Sequence, residues 1–242
     1  MIHLIGFDLD DTLFNASELA TQARIGGLKK IQECGLNFSL QEGINGLFDI
    51  VKEFGSNYTH HYDTLLERMK KDPVKYEITI PDFKIPKYVA AGIMGYHEVK
   101  VKNIKPFEDV LGCLVTLKKI GYPMILISDG RPIKQYEKLH RLKIEQFFTD
   151  IFISEEIGLQ KPNPEYFKYC LNEMDVLPSE FMYVGDRMDH DIKPAKDIGI
   201  NTVLIHRKGK YDPIISGKSY PYQADYEISS LEDLLPIVKS IS

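Results

Sequence analysis

The chain is short of cysteine, of any strong excess of one charge and of long apolar runs, and each shortage excludes a class of protein. Cys34, Cys113 and Cys170 are the three cysteines in 242 residues. They stand far apart with no Cys-x-x-Cys pairing, so neither a zinc site nor a disulfide framework is expected, and a reducing cytoplasm fits. No apolar segment approaches the ~20 residues that span a bilayer. The amino terminus, MIHLIGFDLDDT, turns acidic without a basic leader, so no targeting segment is expected. The formal net charge of -5 is mild. Basic residues are scattered, which leaves no electrostatic footprint for DNA or RNA.

What remains is an ordinary globular composition, 43% hydrophobic and 27% charged. The length exceeds one average domain and falls short of two, which suggests a main domain with a smaller insertion. Short apolar runs recur at Ile2 to Phe7, Pro123 to Ile127, Ile151 to Ile153, Phe181 to Val184 and Thr202 to Ile205. Each is followed by a helix-like stretch, and near-continuous apolarity marks strands buried on both faces. The pattern predicts an α/β fold, a Rossmann-like parallel sheet with helices on both faces. Pro106 and Pro164 stand where helices should start, and Gly121 where the first of these should end.

Between the first and second runs lie about ninety residues, far more than the roughly ten to twelve a crossover needs. Ser17 is a candidate cap for a helix ending near Gly35. Ser39 with Glu42 makes a capping-box pattern ahead of the run to Phe54. A further helix is expected over Asn57 to Lys71, a break over Asp72 to Pro86, and helix again over Tyr88 to His97. Residues 16–102 are therefore expected to form a helical cap, hinged at Phe14 to Ala16 and Lys100 to Lys105, inserted into a core of residues 1–15 and 103–242.

In open parallel sheets ligands gather at the carboxyl ends of the strands. The first run ends in Asp8-Leu9-Asp10-Asp11-Thr12, where Asp8 and Asp10 project to one side if the chain stays extended. They could divide the roles of nucleophile and proton donor, or Asp10, Asp11 or Thr12 could simply cap the next turn. The second run ends in Ser128-Asp129-Gly130, whose hydroxyl and backbone N–H groups suit phosphate oxygens and whose composition suits a plain turn equally well. Lys161, in Gln160-Lys161-Pro162-Asn163-Pro164, is either a cation for phosphate or a solvated side chain. Gly185-Asp186-Arg187-Met188-Asp189-His190-Asp191 offers Asp186 and Asp191 to a hard cation such as Mg²⁺, or Asp189 to a helix amino terminus. What favours the chemical reading is the coincidence of all four.

Taken in order, Asp8-x-Asp10-x-Thr12, Ser128, Lys161 and Gly185-Asp186 with Asp191 resemble the haloacid dehalogenase superfamily, in its phosphatase branch with a helical cap inserted after the first strand. The resemblance implies a Mg²⁺-dependent phosphatase of a small phosphorylated metabolite, with Asp8 as nucleophile and Asp10 as acid and base. It implies a metal held by Asp8, the Asp10 backbone carbonyl and Asp186, supported by Asp191. Phosphate would be met by Thr12, Ser128, Asp129, Gly130 and Lys161. Members that cleave carbon–halogen bonds lack the second aspartate, so Asp10 argues for phosphate chemistry. Asp129 stands where many relatives carry asparagine and adds a negative charge; Arg131 could offset it, but is expected to be a solvated side chain. The partner expected is a small-molecule phosphate ester, with neither nucleic acid nor membrane. A phosphomutase, a phospho-accepting receiver domain and a non-enzymatic binding protein are the alternatives, and the receiver needs no ninety-residue insertion. His60 and His61 are adjacent and face different ways, Arg207-Lys208-Gly209-Lys210 reads as a solvated loop, and Phe54, Tyr58 and Tyr62 read as packing residues.

Overall fold

A computed structural model of the chain describes residues 1–79, 82–209 and 211–241. It divides into two compact units, Met1–Ser17 with Ile104–Ser242, and Glu18–Asn103. The first holds strands β1 (Leu4–Phe7), β2 (Met124–Ser128), β3 (Asp150–Ile153), β4 (Phe181–Gly185), β5 (Asn201–Ile205) and β6 (Tyr226–Ile228). Every pairing is parallel, in the order β3-β2-β1-β4-β5-β6. All residues of β1, β2 and β4 are buried, as two-faced coverage by helices requires. The five apolar runs became strands, and β6 is the one the runs did not announce. It is a three-residue edge strand with a single buried residue, Ile228, so it has no apolar run to show.

The second unit is helical: α1 (Ala16–Glu33), α2 (Leu40–Phe54), α3 (His61–Lys71) and α4 (Ile85–Asn103). Its core gathers Leu28, Ile31, Leu47, Ile50, Tyr62, Leu65, Leu66 and Met69. Tyr62 is buried, with its hydroxyl donated to the Arg24 carbonyl at 3.1 Å, and exposed Phe54 stacks on Tyr58 at 4.7 Å. Ser39 caps α2 through the Glu42 N–H at 3.5 Å. The reciprocal half of the expected box is missing: the Ser39 N–H is given to the Tyr76 carbonyl at 2.9 Å, and the Glu42 carboxylate accepts from Asn45 at 3.3 Å. Ser17 does not cap α1 either. It lies inside the helix, giving its N–H and hydroxyl to the Asp11 carboxylate at 2.8 and 2.5 Å. Thus Asp11, whose φ is +63°, is the residue that takes up an otherwise orphaned N–H of the first turn. α3 begins at His61 instead of Asn57, and α4 continues to Asn103, into the stretch Lys100 to Lys105 expected to be a hinge. Within the expected break, Ile80 and Pro81 lie outside the described residues.

The sheet unit continues with α5 (Val110–Lys119), α6 (Pro132–Leu142), the single turn α7 (Ser154–Ile157), α8 (Pro164–Met174), the turn α9 (Lys193–Lys196), the turn α10 (Pro213–Ser216) and α11 (Leu234–Ser240). Pro164 starts α8 as expected, with Asn163 as its cap. Pro106 does not start α5, because the Phe107 N–H pairs with the Leu13 carbonyl at 3.0 Å and delays the helix to Val110. No helix among the described residues is long and apolar enough to cross a membrane. Because β1 lies between β2 and β4, the loops leaving these three strands emerge side by side where the strand order reverses.

Candidate active site

The β1 strand ends at Phe7, so Asp8 and Asp10 owe their placement to a tight loop and not to strand alternation. In that loop the Asp11 N–H closes onto the Phe14 carbonyl at 3.0 Å and the Asp8 N–H is taken by the Val184 carbonyl of β4 at 2.9 Å. Asp8, Asp186 and Asp191 converge: each is buried, and one carboxylate oxygen from each lies within 4.8 Å of the others. Gly185 makes the approach of Asp191 possible. A Cβ there would sit 2.5 Å from the Asp191 Cβ and Cγ.

Lys161 reaches this cluster from the loop between α7 and α8, so only three of the four motifs sit directly on strand ends. Its side chain is 4% exposed, which rules out the solvated reading. The ammonium donates to Asp8 Oδ1 at 2.5 Å, Asp191 Oδ1 at 2.8 Å, the Tyr183 hydroxyl at 3.1 Å and the Ile127 carbonyl at 3.3 Å. The Lys161 N–H donates to the Asp129 carboxylate at 3.1 Å. Asp191 also accepts from the Arg187 N–H at 3.0 Å, and Thr12 donates to Asp186 at 3.4 Å.

One buried ammonium among three buried carboxylates leaves negative charge in excess. Burial pushes Asp8 up to about 7 although Lys161 opposes it. Burial, with the charges of Asp191 and Asp8, pushes Asp186 up to about 9. Burial disfavours the Lys161 charge, yet Asp191 and Asp8 together hold its pKa well above the ordinary value. Burial also raises Asp129. An all-oxygen donor set carrying surplus negative charge fits a hard divalent cation such as Mg²⁺ and suits a soft metal poorly.

The remaining expected residues lie beside this cluster. The Ser128 hydroxyl is buried and accepts from Gln135 Nε2 at 3.0 Å. The Gly130 N–H is not free, being given to Ser154 Oγ at 2.9 Å. Arg131 is exposed, as expected. The carboxylate of Asp10 accepts from Lys138 Nζ at 2.8 and 2.6 Å and from Gln135 at 3.3 Å. Arg207 departs from its reading as solvated loop: its side chain is 8% exposed, donating to the Thr12 carbonyl at 3.0 Å and to Asp109 at 2.7 Å. It lies 4.2 Å over the Phe107 ring. Lys210, from the same stretch, lies outside the described residues.

Sequence reasoning missed Gln135, Lys138, Tyr183 and Arg207. Tyr183 was hidden inside an apolar run, although a tyrosine on a doubly covered strand must find a partner for its hydroxyl. The signal for α6 was a glutamine three residues from a lysine on a helix leaving a motif strand.

The chain is similar to known proteins over most of its length. A family model described as haloacid dehalogenase-like hydrolase matches residues 5–205. A glyceraldehyde 3-phosphate phosphatase of Methanocaldococcus jannaschii is 44% identical over 241 residues, covering 100% of this chain and 99% of that one. One from Pyrococcus furiosus is 38% identical, covering 98% and 93%. Among solved structures, a HAD phosphatase from Thermococcus onnurineus superposes with TM-score 0.64 at 20% identity, covering 98% of each chain. A 2-haloacid dehalogenase from Pseudomonas syringae gives 0.64 at 20%, covering 100% of each. These two structures share the fold across different chemistries.

Two outcomes follow from the charge imbalance. Carboxylates with raised native pKa values keep protons that the unfolded chain has already released, so metal-free stability should fall as pH rises from about 4 toward about 9. Melting temperatures across that range should decline less for Asp186→Asn than for the parent, and parallel slopes would contradict the assignment. Removing the ammonium strands two buried carboxylates. Lys161→Met should therefore lose about 3 kcal/mol or more in a denaturant melt at neutral pH.

Proposed function

Since the chain belongs to the haloacid dehalogenase-like hydrolases and is a phosphatase of a small phosphorylated metabolite, we propose that it works through an aspartyl-phosphate on Asp8 and that its substrate is glyceraldehyde 3-phosphate. The substrate reading is supported by relatives of that name at 44% and 38% identity over nearly the whole chain. The mechanistic reading is carried by the buried Asp8–Lys161–Asp191 contact, which fixes one carboxylate oxygen and leaves the other for attack. The free thiols Cys34, Cys113 and Cys170 support action in a reducing cytoplasm. We further propose that the helical unit Glu18–Asn103 serves as the cap expected from the sequence.

Asp8 would attack phosphorus with its carboxylate oxygen while the bond from phosphorus to the leaving oxygen breaks and its electron pair stays on that oxygen. Asp10 gives the leaving oxygen a proton. Asp10, now a carboxylate, takes a proton from water as that water attacks the phosphoaspartate, which restores Asp8 and releases inorganic phosphate. Lys161 neutralises charge at the nucleophile, and the Ser128 and Thr12 hydroxyls contribute to the polar wall around it. Mg²⁺, held by Asp8, Asp186 and the Asp10 carbonyl with Asp191 in support, would offset the surplus negative charge and favour approach of a phosphate dianion.

The test is phosphate release with Mg²⁺ over glyceraldehyde 3-phosphate, dihydroxyacetone phosphate, glycerol 3-phosphate and phosphoglycolate. The expected result is the highest kcat/KM for the aldehyde, at least about tenfold above the others, and no release by Asp8→Asn. A flat profile would overturn the substrate assignment. Recovery of transferred phosphate on a sugar, with no inorganic phosphate, would favour a mutase instead. Asp10→Asn has a separate signature. With p-nitrophenyl phosphate, whose leaving group needs little protonation, it should give a burst followed by slow turnover, and acid-quenched protein should carry one phosphate on the Asp8 peptide. Unchanged turnover would remove Asp10 from the chemistry.

A further inference from the structure

Helix α6 carries two inward polar side chains that belong to none of the sequence motifs. Leu139 and Leu142 bury its apolar face, while Gln135 and Lys138, three residues apart, share a neighbouring stripe. Gln135 is 2% exposed. Its Nε2 bridges Ser128 Oγ at 3.0 Å and Asp10 Oδ2 at 3.3 Å and also donates to the Asp129 carbonyl. Lys138, with its side chain 19% exposed, meets both oxygens of Asp10 at 2.8 and 2.6 Å. Its ammonium lies 5.8 Å from the Phe14 ring centroid, so aromatic surface walls it on the side of the catalytic loop.

Asp10 differs from its acidic neighbours in how it is held. Its side chain is 34% exposed, against 8% for Asp8 and 1% for Asp191, so packing alone leaves its rotamer free. A carboxylate that delivers a proton to one oxygen and later takes one from a water must face the same point in both steps, and small misplacements are costly. The geometry points to Lys138 as a positioning residue for Asp10, its ammonium and the Gln135 amide together fixing the direction in which that carboxylate faces. The inference rests on the proton-transfer role given to Asp10 above. Lys138 acts through Asp10 and has no step of its own.

The test compares first-turnover release of phenol from phenyl phosphate with that of nitrophenol from p-nitrophenyl phosphate, with Mg²⁺, for the parent, Lys138→Met, Lys138→Arg and Asp10→Asn. Phenol needs the proton to leave and nitrophenol needs it less. Lys138→Met should slow phenol release by about ten- to a hundredfold, part of what general acid catalysis contributes, and nitrophenol release by less than about threefold. Both KM values should stay near the parent's, and Lys138→Arg should fall between. Because the ratio of the two rates is taken on one sample, incomplete folding of a variant cancels. Equal slowing of the two esters by Lys138→Met, or a raised KM with an unchanged rate, would overturn the inference, the latter by making Lys138 a substrate contact. If Asp10→Asn itself slows both esters alike, the acid role of Asp10 fails and the inference falls with it. If Asp10→Asn discriminates between the esters and Lys138→Met does not, the positioning role alone fails.

Discussion

The buried ammonium of Lys161 is the interaction on which the site depends. Three carboxylates cannot be gathered inside a protein without compensation, since each is costly to desolvate and they repel one another. Lys161 meets two of them directly, and it also donates to the Tyr183 hydroxyl and the Ile127 carbonyl. It therefore ties the loop before α8 to β2, β4 and the loop after β1. A buried pair of this kind adds little net stability compared with apolar packing, but losing one partner is expensive. What the ammonium supplies is a fixed orientation for the Asp8 carboxylate. What it leaves uncompensated, the surplus charge that joins burial in raising Asp8 and Asp186, is the feature a hard cation would answer.

Around that centre the motif residues are held by further contacts, some inside a motif and some outside it. Asp191 fits because Gly185 lacks a Cβ. The Thr12 carbonyl is held by Arg207, whose guanidinium also joins Asp109, and Asp109 in turn accepts the Leu231 N–H at 2.8 Å. The carboxyl-terminal stretch and the loop after β1 are thus linked through one arginine that the sequence placed in solvent. Asp10 is held in a comparable way by α6.

The sheet was legible because burial on both faces writes a strand as an unbroken apolar run, and three of the four motifs because they stand where such runs stop. Less was legible wherever a side chain's partner is distant in sequence. Ser17 looked like a cap and is the guest of Asp11, and Pro106 looked like a helix start and is overruled by the Phe107–Leu13 pairing. Lys161 could not be told from a solvated lysine until Asp8 and Asp191 were seen against it. The Gly130 N–H, read as open to phosphate, is taken by Ser154, twenty-four residues away.

Whether one ammonium under-compensates a carboxylate cluster that could hold a divalent cation is tested most directly by counting protons. Titration calorimetry of Mg²⁺ binding in buffers of different ionisation enthalpy, at about pH 7, measures the protons displaced when the cation arrives. Carboxylates pushed up by burial should release about one proton per cation bound, and Asp186→Asn should reduce both the release and the affinity. Binding with no proton release, and an affinity indifferent to pH between about 6 and about 9, would contradict the account.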